Sequence, residues 1–317
     1  MTEIEEYSSN QEETDSRIIL YLRLISTVND TVTVIVRSPD SDVFILLLCY
    51  SHKFTLRILL DTGTGEHRRL IDVTELSNDL GVDLCKSILP LYVFTGEDTN
   101  GAFRGKGKVQ PLKKLLAHPK FLGTFMKLGR RWRVPEDLFA ELEEFTCILY
   151  NASRTKSVDL LRASKLKQMV GKSKKLSKKK IDISRLPPLK QCLTLSQHIK
   201  RVNYRVAQWK RSHWSNVPLP CPTDHGWRRA RDSLVPEWSD GPAIPDTLDL
   251  LLRPQVPGHY PDSEEMSVED VNDSNQQQDS DEEQQSSDED ENNYNQQDDE
   301  SSTDNEDSEY SSDEDYD

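Results

Sequence analysis

The chain has 317 residues, 35% of them hydrophobic and 30% charged, with a formal net charge of −15. Of its 55 acidic residues, 25 lie between Asp262 and Asp317, where there is no Lys or Arg, so residues 1–261 carry a net charge of +10: a basic body with an acidic tail, which points to a polyanionic partner and away from two equal globular domains. The five cysteines form no C-x-x-C pair, the stretch from Met1 to Asp15 lacks an apolar core, and the apolar run from Val43 to Tyr50 is too short for a bilayer. A disulfide framework, a cysteine zinc site, a signal peptide and a membrane span are therefore not expected, and an intracellular protein is.

Residues 1–11 are polar and read as a disordered N-terminus. From Glu12 the acids Glu12, Glu13 and Asp15 lead into Ile18, Ile19, Leu22 and Ile25 at helical spacing, which predicts an amphipathic helix opened by acids at the positive end of its dipole. The organising stretch follows. Val34-Ile35-Val36 predicts a strand buried on both faces, Asp40 and Asp42 stand at its carboxyl end, and Val43 to Leu48 predicts an apolar helix. A carboxylate pair at a strand end lies where open α/β sheets place their ligands.

Residues 55–60 and 68–72 read as a hairpin around Asp61-Thr62-Gly63-Thr64-Gly65. Helices are predicted over 73–80, closing at Gly81, and over 83–94 with a kink or break at Pro90. The loop 95–108 is punctuated by Gly96, Gly101, Gly105 and Gly107 and carries Arg104, Lys106 and Lys108. Such a turn at the head of a helix lets the backbone approach a phosphate, which the three basic residues would hold without reading bases; an ordinary solvated turn has the same composition. Helices over 111–117, 119–128 and 135–150 each begin near a proline.

In order and spacing these pieces resemble the flap-endonuclease branch of the PIN-like 5′ nucleases, over the carboxyl-terminal half of that catalytic domain. Glu13-Thr14-Asp15 is similar to the family's Glu-Ala-Glu, Asp40-Ser41-Asp42 to its strand-end Asp-x-Asp, and Gly96-Glu97-Asp98 with Gly105-Lys106-Gly107-Lys108 to its Gly-x-Asp and DNA-gripping loop. The chain also resembles a group of uncharacterised, transposon-like animal proteins, through Leu186-Pro187-Pro188, Gln197-His198-Ile199 and His225-Gly226-Trp227. The resemblance implies a partial PIN-like parallel sheet with a helix-hairpin-type cap over residues 12–150. It also implies that Glu13, Asp15, Asp40, Asp42 and Asp98 hold Mg²⁺ or Mn²⁺, because oxygen-only ligands select hard ions. The family's first strand and its aspartates have no counterpart before Glu12, so the expectation is half of a metal site and an exposed sheet edge.

Residues 151–183 read as a basic linker, with eleven Lys or Arg between Arg154 and Lys180, suited to nuclear localisation or phosphate contact. Residues 184–254 form an accessory segment with Trp and Pro, and 255–317 a disordered acidic tail that would bind the basic segment or basic nuclear proteins. The expected function is divalent-metal-dependent phosphodiester chemistry on a nucleic-acid backbone, DNA ahead of RNA, weak or incomplete in this chain. The alternative is a non-catalytic nuclear binding protein with a degenerate nuclease fold.

Overall fold

A computed structural model describes residues 8–29, 31–171, 183–190 and 195–237. The lysine run 172–180 and the acidic tail, on which the nuclear and tail-binding expectations rest, lie outside the described residues.

Helix α1 (Thr14–Val28) buries Ile19, Leu20 and Leu22 and leads to strand β1 (Thr33–Arg37). Asp40 then starts α2 (Ser41–Tyr50) by accepting from the Asp42 amide at 2.8 Å. This N-cap satisfies one of the amides a helix start leaves without a partner. Helix α2 is a crossover, so β2 (Arg57–Thr62) returns parallel to β1, with Val36 opposite Leu60. The link from β2 to β3 (Arg69–Asp72) is only a turn, and β3 pairs antiparallel, Leu60 opposite Ile71. Gly63 makes that turn at φ +79°, where a Cβ would lie 2.3 Å from the His67 carbonyl oxygen. The sheet is therefore mixed, in the order β1-β2-β3, and not the parallel sheet expected.

Strand β1 also departs from expectation. It is an edge strand, paired on one side only, and just one of its faces is covered: Val36 is buried while Ile35 is 60% exposed on the face it shares with Thr33 and Arg37. The polar residues two positions either side of Ile35 mark this face as the outer one.

Helices α3 (Val73–Leu80) and α4 (Val82–Phe94) follow, separated by Gly81. Helix α4 runs through Pro90 without breaking, with Leu89, Leu91, Val93 and Phe94 all buried around it. The three helices expected near prolines are α5 (Val109–Ala117), α6 (Lys120–Lys127) and α7 (Glu136–Leu149). Phe94, Phe121, Phe125 and Phe145 join α4, α6 and α7 in edge-on contacts, the closest between Phe125 and Phe145 at 4.9 Å between ring centroids.

The segments read as linker and accessory belong to the same core. Helix α8 (Val158–Gly171) buries Val158 and Leu161, and the Val158 amide donates to Glu143 Oε1 at 3.1 Å, so part of the basic stretch is a packed helix. Helix α9 (Leu195–Trp209) buries Ile199, Val202, Val206 and Trp209 in the core that holds Leu46 and Leu47 of α2. Gly129, at φ +71°, lets the chain lie against α9, since a Cβ there would meet the Val206 backbone at 2.7 Å. Asn203 secures the contact, accepting from the Gly129 amide and donating to the carbonyls of Arg131 and Trp132. A hairpin of β4 (Trp227–Ala230) and β5 (Ser233–Pro236) turns at Arg231, φ +53°.

Residues 8–11, expected to be disordered, are tied down. Asn10 exchanges hydrogen bonds with the Val217 backbone, and Gln11 Nε2 donates to the Ser212 carbonyl at 2.9 Å. Among the described residues no helix is long and apolar enough to cross a membrane.

Candidate metal and nucleic-acid site

The start of α2 places Asp40 and Asp42 at the carboxyl end of β1, and the start of α1 brings Glu13 and Asp15 to them. The turn after α4 adds Glu97 and Asp98. Gly96, at φ +107°, makes that turn possible, since a Cβ would lie 2.6 Å from Ala102 Cβ. The electrostatics record the convergence. The carboxyl of Asp15 is raised above the ordinary range by burial and then by the charges of Asp40, Asp42 and Glu13, while Arg205 opposes the rise. That of Asp42 is raised by burial and by Asp40, Glu97 and Asp98, against a hydrogen bond from Tyr92 that lowers it. Crowded carboxylates disfavour one another's ionised forms unless cations intervene.

Each arm of the cluster is held from behind. Tyr92 Oη donates to Asp42 Oδ1 at 2.6 Å, and burial together with this bond pushes the phenol up. Arg205 of α9 donates to Glu13 Oε1 at 2.6 Å and lies 3.8 Å from Glu97 Oε2. Glu97 also accepts from the Thr99 amide at 2.8 Å, while the neighbouring Asp98 is exposed. Among the described residues no three His, Cys, Asp or Glu side chains stand close enough to hold one ion together. Glu13 is drawn toward Arg205 and Asp42 toward Tyr92, which spreads the cluster.

The three basic residues of the loop do not act as one. Lys108 is exposed along its length, but its ammonium folds back onto the end of α4: it lies 3.8 Å from the Tyr92 ring centroid and donates to the carbonyls of Tyr92, in the last turn, and Gly96, just after it. Burial lowers its pKa to about 8, against the pull of Asp42 and Glu97. Lys106 lies instead over the Tyr150 ring, 4.2 Å from its centroid, and is lowered by burial and by Lys165, Lys114 and Arg185. Arg104 is on the surface. Lys108 thus belongs to the acid cluster and Lys106 to a separate basic patch.

Arg205 and Tyr92 were not singled out by their sequence surroundings. The local signal for Arg205 is its spacing of four from Trp209, over whose ring its guanidinium lies at 4.7 Å. No family model, curated protein or solved structure matches this chain.

Proposed function

We propose that the cluster at the end of β1 holds a divalent cation and engages the phosphate backbone of nucleic acid, as a PIN-like nuclease site does. The observation that carries this reading is the convergence of carboxylates from three separate segments at the end of β1; after burial, the charges of Asp40, Asp42 and Glu13 raise Asp15, and those of Asp40, Glu97 and Asp98 raise Asp42. Such an arrangement costs stability in the bare protein, and a hard cation relieves it. The donor chemistry suits such an ion, being all oxygen with neither His nor Cys, while among the described residues no three of these side chains stand close enough to hold one ion without drawing together. Asp15, Asp40 and Asp42 would hold the ion, with Glu13 and Asp98 at its margins.

When bound, such an ion polarises a phosphoryl oxygen and lowers the pKa of a water. The chain's own residues position the rest. Tyr92 fixes the Asp42 carboxylate by its 2.6 Å bond, and Arg205 fixes Glu13. Lys108, lowered to about 8, adds a nearby cation whose charge is sensitive to the occupancy of the cluster. DNA is placed ahead of RNA, and the lysine run 172–180 serves as nuclear address or backbone contact, in competition with the acidic tail.

A second reading is favoured by two observations: Arg205 and Lys108 already supply positive charge beside the acids, and among the described residues no three ligands are preassembled. On this reading the protein binds nucleic acid or nuclear proteins without catalysis. Cleavage of single-stranded and flap DNA by the full chain in Mn²⁺, compared with Asp40→Asn and Asp42→Asn, separates the two. Activity lost in both variants supports the first reading. Activity equal in parent and variants, or absent throughout while binding persists, supports the second.

A further inference from the structure

Beside the acid cluster lies a pocket of about 510 Å³, bounded by residues 10–13, by α9 and by the β4–β5 hairpin. Its volume is in the range of small-ligand sites, about 300–1,000 Å³. Glu13, Thr99 and Arg205 line it, so a molecule in the pocket sits next to the carboxylates.

The walls offer stacking surfaces. Trp227 is half-buried, with the Arg201 guanidinium 5.9 Å from its ring centroid. Tyr204 and Trp209 of α9 line the same pocket, so aromatic rings stand on two of its sides.

Charge decides which part of a nucleotide would enter. Arg201 is engaged by the carbonyls of Gly226 and Glu237, Arg205 by Glu13, and Glu12 stands beside them in the lining. The pocket therefore keeps no surplus positive charge for a phosphate, while its aromatic and amide groups suit a base.

We infer that this pocket binds a nucleobase, stacked on Trp227, from a strand whose phosphate lies at the carboxylate cluster. The placement of the phosphate rests on the proposed function; the base contacts rest on the pocket alone. The probe is 2-aminopurine deoxyribonucleoside monophosphate, titrated in EDTA against the full chain and read by quenching of its fluorescence. Saturable quenching is expected. It weakens by about tenfold in Trp227→Ala, the value of one lost stacking contact, and is retained in Trp227→Tyr, which keeps a ring and the hairpin.

No saturable quenching in the parent, or equal quenching in parent and Trp227→Ala, overturns the inference. Equal losses in the Ala and Tyr variants overturn it too, because they trace the effect to the hairpin's fold. Loss of Mn²⁺-dependent oligonucleotide binding as the sole failure would strike the proposed function and leave the pocket standing.

Discussion

Arg205 Nη1 donates to Glu13 Oε1 at 2.6 Å, joining residues 192 positions apart and closing the acid cluster with a cation from α9. Arg205 is 11% exposed and Glu13 41%, so the pair is only partly shielded. Replacing Arg205 with Met keeps the packing over Trp209 and removes the charge. The expected loss is about 1–3 kcal/mol, seen as a lower urea midpoint with unchanged slope. Millimolar Mn²⁺ restores part of it, because the ion supplies the missing charge.

The raised carboxyls of Asp15 and Asp42 set the sign of the pH dependence. Both groups retain protons in the folded chain where the unfolded chain has released them. Their contribution to stability is thus present below the ordinary carboxylate value and lost as pH rises through the folded one. At neutral pH without metal they cost stability. Asp42→Asn, which can still accept from Tyr92, is expected to be more stable than the parent by about 0.5–2 kcal/mol at neutral pH. The difference should close below about pH 4. Asp61, held down by Arg68, and Asp72, held down by the Glu75 amide, act in the opposite sense in both proteins, so the informative quantity is variant minus parent.

Lys108 is expected to titrate near its lowered value of about 8. Reductive ¹³C-methylation with NMR detection reads this directly, the resonance being assigned by its absence in Lys108→Arg. Asp42 raises this group, so Asp42→Asn should lower it further, and Mn²⁺ should do the same. A Lys108 resonance titrating near its ordinary value, about 10.4, would contradict the placement of its ammonium against Tyr92 and Gly96.

Two glycines at positive φ make a contrasting pair. Gly129→Ala would place a Cβ 2.7 Å from the backbone carbon of Val206, so strain and displacement of α9 add, for an expected loss of about 2–4 kcal/mol in denaturant unfolding. Gly105, at φ +73°, has nothing near a Cβ, and Gly105→Ala should lose only the conformational term of about 1–2 kcal/mol.

Much of the local structure was legible because its causes are local. The strand ending before Asp40 and the apolar α2 follow from adjacent residue types, and so do the β2–β3 turn at Gly63 and the helices begun near Pro111, Pro119 and Pro135, whereas the capping role of Asp40 was not read from them. The edge position of β1 was legible only in part. Ile35 reads as core, and Thr33 and Arg37 on its face are what betray exposure. Burial of α9 was masked by its charges, since Arg201 and Arg205 reach their partners only after the chain has folded back. The acids of the site were legible through order and spacing, whereas Arg205 and Tyr92 were not: each is tied to its carboxylate by tertiary contact alone.

Calorimetric titration of the full chain with Mn²⁺ at neutral pH tests the metal site most directly. The account predicts saturable binding to the parent, lost or weakened at least roughly a hundredfold in Asp40→Asn/Asp42→Asn, as removal of two charged ligands implies. No saturable binding, or equal affinity in parent and double variant, would contradict it.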